Sequence, residues 1–202
     1  MSADHYFSEN PESRESLRPV TVTLAGREVT LTVPSGTFSA DGLDRGTQVL
    51  LKTVPTPPAD GVFVDVGCGW GPIALSLALH SPDATVWAVD VNERARQATR
   101  HNAETLGLEN VQVSSPEEFP QGKDIDLIWS NPPIRIGKAA LHKLLTTWLN
   151  RLSPQGEAWL VVAKQLGSDS LQRWLNGGGA GTFQAERVDS DKGYRIIRVT
   201  RA

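Results

Sequence analysis

Three short stretches of this chain place residue types that do chemistry at spacings that let them act together. They are Asp65-Val66-Gly67-Cys68-Gly69-Trp70-Gly71, then Asp90, then Asn131-Pro132-Pro133-Ile134-Arg135. Glycines at alternate positions let backbone approach a ligand closely and adopt conformations that a side chain forbids. A dinucleotide fingerprint spaces its glycines GxGxxG and binds pyrophosphate at a helix N-terminus. Here the spacing is GxGxG, with Pro72 where the third glycine would stand. The loop also opens on Asp65, whose carboxylate repels pyrophosphate and attracts an amino-acid ammonium. Asp90, at the end of the next apolar run, can accept from both hydroxyls of a ribose. Two acids and a glycine loop suit an adenosyl ligand with a cationic tail, which is S-adenosylmethionine.

The third stretch is either punctuation at a strand end or part of an active site. Proline gives up its backbone donor and restricts the residue before it, so Asn131-Pro132-Pro133 is expected to leave a strand as a stiff, extended exit. The Asn131 side-chain oxygen and the Pro132 carbonyl can then accept hydrogen bonds from an exocyclic amine. They would aim its lone pair at a sulfonium methyl and favour the positive charge that develops on nitrogen. Such an in-line displacement needs no strong base, and His5, His80, His101 and His142 form no cluster in the sequence. Cys68 is expected to be a small loop residue rather than a nucleophile.

The elements that must position these residues alternate from residue 61 onward. Strands are expected at 61–66, 84–89, 110–114, 124–129 and 157–163, and as a terminal hairpin at 182–189 and 193–200. Helices are expected from Pro72 to His80, after the N-cap candidate Asn92 up to Gly107, and from Ser168 to Asn176. Ala140, Leu141, Leu144, Leu145, Trp148, Leu149 and Leu152 recur at helical spacing and predict one apolar helix face, stopped by Ser153-Pro154-Gln155-Gly156. Repeated strand–helix units imply an α/β fold: a mostly parallel seven-stranded sheet with helices on both faces and one antiparallel strand from the hairpin. Upstream, 20–24 and 28–33 alternate around Ala25-Gly26-Arg27 as a small N-terminal β-hairpin. Residues 1–54 are expected to form an extension packed on a core of residues 55–202, making one unit. Asp44, with Gly46, Thr47 and Gln48, is a candidate to close over the ligand from upstream, or Asp44 simply caps the helix that follows it.

Composition narrows the function classes. The 202 residues are 39 % hydrophobic and 21 % charged, as in ordinary globular proteins, and the single cysteine excludes a disulfide scaffold. One cysteine and four scattered histidines build no zinc cluster. The polar first twenty residues lack the apolar core of a secretion signal, and no apolar run reaches the ~18 residues of a membrane span. A cytoplasmic location is the resulting expectation. The net charge of −3 hides an asymmetry: nine Lys/Arg stand against eighteen Asp/Glu up to Ile134, and eleven against five from Arg135 onward. Such asymmetry can put a basic face on an otherwise acidic protein, and scattered solvated charges are the alternative reading.

VDVGCGWGPIALSLA, VDVNERA and SNPPIRIGK resemble the glycine-rich, acidic and NPP motifs of class I S-adenosylmethionine-dependent methyltransferases. GTFSADGLDRGTQVLL resembles the segment before the glycine loop in the small-domain methyltransferases related to the 16S rRNA guanine-N2 enzymes. HYFSENP is similar to the opening of the short, single-domain bacterial branch. The resemblance implies a Rossmann-like fold with S-adenosylmethionine held by Asp65, Gly67, Cys68, Gly69 and Gly71. It further implies contacts from Asp90 and Val91 to the ribose, Glu117 to the adenine, and Thr47 and Asn131 from the flanks. Asn131 and Pro132 would be catalytic, and Pro133, Ile134, Arg135 and Lys138 would meet the RNA. Ile134 stands where amine methyltransferases usually have an aromatic residue, and Tyr6 and Phe7 are candidates for a replacement stacking surface. A protein amide, a small-molecule amine, or cofactor binding without turnover are the alternatives.

Overall fold

The computed structural model of the chain describes residues 17–34 and 42–202. Tyr6, Phe7 and residues 35–41 lie outside the described residues. The elements in order are β1 (Leu17–Leu24), β2 (Arg27–Pro34), α1 (Arg45–Thr53), β3 (Val62–Val66), α2 (Pro72–His80), β4 (Thr85–Val89) and α3 (Glu93–Thr105). There follow β5 (Val111–Ser114), β6 (Ile125–Ser130), α4 (Lys138–Leu149), β7 (Leu152–Ala163), α5 (Ser168–Asn176), β8 (Phe183–Asp191) and β9 (Tyr194–Arg201).

Strands β3 to β9 form a seven-stranded sheet in the order β5-β4-β3-β6-β7-β9-β8, parallel except where β9 runs against both β7 and β8. The chain builds outward from β3 to β5, then crosses back so that β6 pairs with the other side of β3. Successive strand residues face opposite helix layers. Val64, Ile128, Leu160 and Val162 pack under Leu141, Leu145 and Trp148 of α4 and Leu171 of α5. Phe63, Leu127, Trp129 and Val161 pack under Leu50 of α1 and Ile73 and Leu77 of α2. Helix α2 is apolar on nearly all sides and buried along its length, as such a helix must be.

The expected architecture stands, with local corrections. Ala140 is exposed, and Leu152 belongs to β7 rather than to the α4 face, which is Leu141, Leu145, Trp148 and Leu149 with Leu144 partly buried beside them. The Ser153–Gly156 stretch does not end before a strand begins; it is an excursion within β7, where pairing with β6 jumps from Ile125↔Leu152 to Leu127↔Glu157. Gly156 sits so close to β6 that an added Cβ would lie 2.6 Å from the Ile125 carbonyl oxygen. The hairpin turns are two residues, Ala25-Gly26 and Lys192-Gly193, each with both φ angles positive. That is the turn whose twist matches paired strands.

The β1–β2 hairpin is a separate two-stranded sheet seated on α2 and α3. Its buried Val22, Leu24, Leu31 and Val33 pack with Trp70, Leu75, Ala98 and Ala103. Asn102 of α3, fully buried, donates to the Thr32 and Trp70 carbonyls (3.0 Å each) and accepts from the Thr32 N–H at 2.8 Å. One amide thus joins the hairpin to the glycine loop. No helix among the described residues is long and apolar enough to cross a membrane.

Asn102→Ala would leave one N–H and two carbonyls unpaired in this junction, each costing about 1–3 kcal/mol. The expected loss is about 3 kcal/mol of unfolding free energy by urea titration. A loss below about 1 kcal/mol would show that the junction does not hold the hairpin.

Candidate active site

The glycine loop leaves β3 and turns sharply across β4. The Gly67 and Cys68 N–H groups both donate to the Val89 carbonyl, at 2.8 and 3.1 Å, and Gly71 N–H donates to the Cys68 carbonyl at 2.9 Å. Gly67, Gly69 and Gly71 all have positive φ, at 79°, 60° and 96°. At Gly71 a Cβ would also stand 2.8 Å from Thr99 Cγ2, so both the dihedral and the space demand glycine. Gly71 is the N-cap of α2 and has no side chain to cap with. Asp65 supplies the missing cap from the preceding strand: its Oδ2 accepts from Ala74 N–H at 3.0 Å.

This placement corrects one expectation. Asp65 is completely buried beneath the loop and does not line the ligand cavity. Its Oδ1 is buried without a hydrogen-bond partner. Burial, with the nearby Asp90 charge adding to it, holds the carboxyl well above the ordinary carboxylate range. Asp90 does reach the cavity. Its Oδ2 accepts from Gly69 N–H at 3.0 Å and its Oδ1 from Asn92 N–H at 2.9 Å. The Val91 N–H also lies against this carboxylate, so three backbone donors engage it. Asn92 in turn caps α3, accepting from Ala95 N–H at 3.1 Å, and Arg96 clasps the Asp90 carbonyl at 2.7 Å. Burial pushes the Cys68 thiol up, and the Asp90 and Asp65 charges push the same way, so Cys68 is an inert thiol rather than a nucleophile.

Asn131-Pro132-Pro133 comes directly after β6, beside the glycine loop, and Gly67 faces the Pro133 ring. The exit is not extended throughout. Pro133 (φ −73°, ψ 74°) centres a tight turn in which Ile134 N–H donates to the Pro132 carbonyl at 2.8 Å, and a single 3-10 turn over Ile134–Ile136 comes next. One lone pair of the Pro132 oxygen is therefore already engaged. The Asn131 amide nitrogen Nδ2 donates to Asp44 Oδ2 at 2.7 Å and to Thr47 Oγ1 at 3.2 Å. Asp44 also caps α1, accepting from Gly46 N–H at 2.9 Å.

These groups wall one cavity of about 530 Å³ at the C-terminal ends of β3, β4, β6 and β7, a volume typical of small-ligand sites. Of the residues expected at the site, Thr47, Gly67, Cys68, Gly69, Asp90, Val91 and the run Asn131–Arg135 line it. Val91 is exposed at its rim. Gly71 is buried at the helix end and does not line it. Glu117 and Lys138 are exposed and do not line it either; Pro116 is the wall residue from the segment after β5. Phe119 belongs to the core, edge-to-face between Trp87 and Trp148 with ring centroids 5.1 Å apart on each side. Trp70 is buried against the hairpin.

Sequence reading missed the far wall: Tyr194, Gln165, Leu166, Leu144 and Trp148. Tyr194 was findable, since the first residue of an antiparallel last strand must return to the edge where the parallel strands end. Burial and the Asp44 carboxylate raise its phenol above the ordinary value.

Comparison with known proteins agrees with this geometry. A profile of the methyltransferase small domain family matches residues 28–198. The chain is 34 % identical over 200 residues to the uncharacterised protein YbxB of Bacillus subtilis, covering 97 % of this chain and 98 % of that one. It is 38 % identical over 139 residues (66 % of this chain) to ribosomal RNA small subunit methyltransferase C of Salmonella choleraesuis, but spans only 40 % of that relative's length. The fold superposes on the T. thermophilus 16S rRNA N2 methyltransferase RsmC, solved in complex with AdoMet and guanosine. There the TM-score is 0.76 at 23 % identity, over 96 % of this chain and 52 % of that one. A family profile spanning most of the chain, and a relative matched end to end, establish that this chain belongs to the methyltransferase small domain family.

Proposed function

We propose that the chain transfers a methyl group from S-adenosylmethionine to an exocyclic amine of RNA, the N2 amine of guanine in rRNA. The observation that carries this reading is a single cavity with a glycine loop and the Asp90 carboxylate on one wall and Asn131-Pro132 on the adjoining one. Donor and acceptor would therefore meet in one space. The cavity fits the cofactor on two counts. Its floor is backbone kept bare by positive-φ glycines, and beneath that floor lies a carboxyl with an unpartnered oxygen.

When bound, S-adenosylmethionine supplies an electrophilic sulfonium methyl. Gly67 and Gly69 would let the ligand lie against backbone, and the Asp90 carboxylate would accept from the ribose. Asp65 would act across the loop rather than by contact: a cationic ligand above it favours the ionised carboxylate, and that form in turn favours the cation. Asn131 Oδ1 and the remaining lone pair of the Pro132 carbonyl would accept from the amine, fixing its direction and stabilising the positive charge that grows during transfer. Ile134 and Tyr194 would flank the base, and Arg135 at the rim and Lys138 beyond it would contact phosphate. The named activities of the rRNA methyltransferase relatives support RNA as the acceptor.

Three outcomes are expected. Incubated with methyl-labelled cofactor and rRNA from a strain lacking this protein, the enzyme should label RNA at a guanine, found by nuclease digestion and mass spectrometry; label confined to protein or metabolites would replace RNA as the acceptor. Asn131→Ala should lower kcat by about 10²-fold or more while the cofactor Kd, from calorimetry, changes less than about 3-fold; wild-type kcat would remove Asn131 from the chemistry. Asp65 has a raised folded-state pKa. Its protonated form therefore contributes stability in full below about pH 4, and that contribution is lost as pH rises through the raised value. Asp65→Asn should keep the cap on Ala74, match the wild-type melting temperature near pH 4, and exceed it by about 3 °C or more at pH 8. A difference that does not change with pH would refute the raised value.

A further inference from the structure

We infer that Asp44 is the positioning residue of the Asn131 amide: it sets which end of that amide meets the substrate amine. The inference rests on the reading of Asn131 given above. An asparagine amide can be turned end for end at little cost, and only one orientation presents oxygen to an incoming N–H. A carboxylate oxygen accepts and cannot donate. Asp44 Oδ2, 2.7 Å from Asn131 Nδ2, therefore dictates that the nitrogen faces α1. Thr47, which is buried, takes the second N–H at 3.2 Å. With both donors committed, Oδ1 is what the side chain offers to a ligand.

Asp44 is itself fixed. The oxygen that accepts from Asn131 also accepts from Gly46 N–H in the first turn of α1, at 2.9 Å, where the helix dipole favours a negative charge. The packing independently shows that this contact is built in. A Cβ on residue 46 would lie 2.9 Å from Asp44 Oδ2, 3.1 Å from Tyr194 Cε1 and 3.2 Å from Asn131 Nδ2. Glycine at 46 is what lets the helix end, the carboxylate and the amide close together. Drawing both N–H groups onto acceptors, one of them charged, also polarises the amide and makes Oδ1 a stronger acceptor for an amine that turns cationic. Asp44 borders the same cavity, but the role assigned to it here is exerted through Asn131.

The test uses the full-length protein, methyl-labelled cofactor and rRNA from a strain lacking it. Asp44→Ser keeps a good helix cap but is too short to hold Asn131. It should cut kcat by about 10–100-fold while KM for RNA and cofactor Kd stay within about 3-fold. Asp44→Asn retains an acceptor for both N–H groups and should recover most of kcat. Gly46→Ala keeps every polar group and should also lower kcat, by prising the carboxylate and amide apart. In 1H–15N spectra of the free protein, the Asn131 side-chain pair should shift in Asp44→Ser and stay near its wild-type position in Asp44→Asn. On an Asn131→Ala background, Asp44→Ser should cost nothing further. An Asp44→Ser enzyme with wild-type kcat, or one equally harmful on both backgrounds, overturns the inference while Asn131→Ala remains impaired. If Asn131→Ala itself has wild-type kcat, the reading of Asn131 falls first and Asp44 with it.

Discussion

Everything at the site depends on the pairing of β3 with β6. The two strands leave the chain more than sixty positions apart in their register, yet Phe63, Val64 and Asp65 lie beside Leu127, Ile128 and Trp129. Ser130 Oγ then donates to the Val66 carbonyl at 2.6 Å, tying the two strand ends together. Each end leads directly into the chemistry, Val66 into the glycine loop and Ser130 into Asn131-Pro132-Pro133. A parallel sheet whose order reverses at this point opens a crevice between the two exits. No single helix or loop could bring the same residues together, because each belongs to a different strand–helix unit.

Around that crevice, groups needed for structure and groups suited to ligand binding are the same groups. Gly71 must be glycine for its dihedral and for Thr99, and so cannot cap α2. Asp65 caps it from below, at the expense of burying a carboxyl with one oxygen unpartnered. Asp90 holds Gly69 in place with one oxygen and organises the start of α3 with the other, while still reaching the cavity. A cation above the loop would offset part of the electrostatic cost of those buried acids. The loop is also braced from outside, since Trp70 is packed under the N-terminal hairpin and its carbonyl accepts from Asn102. The hairpin thus serves the site without touching it.

The acceptor side is built differently. Ile134 supplies no aromatic face next to the prolines, and an aliphatic contact forgoes stacking worth about 1–3 kcal/mol per base. Tyr194 enters the same cavity from the opposite wall. Its position comes from the terminal hairpin: β9 is antiparallel, so it begins where the parallel strands end. Under the proposed function, a planar acceptor would lie between an aliphatic residue from the β6 exit and an aromatic one from β9, with Asn131 at its edge and Asp44 holding the Asn131 amide from behind.

The sequence alone was enough for the alternation of strands and helices, the limits of α2 and α5, the cap at Asn92, and the three motifs with the family they signal. Each of these is local: period, proline, glycine and capping residues act within a few positions. It was not enough for the reach of Asp65, the exposure of Glu117 and Lys138, the strand identity of Leu152, or the arrival of Tyr194. Those depend on register and on which layer covers which strand, and such long-range packing leaves no periodic trace. Asp44 shows the division most clearly. Its type and place before a helix announce a cap, and a cap it is. That the same oxygen also holds Asn131, 87 positions away, was decided only when the fold set α1 against the end of β6.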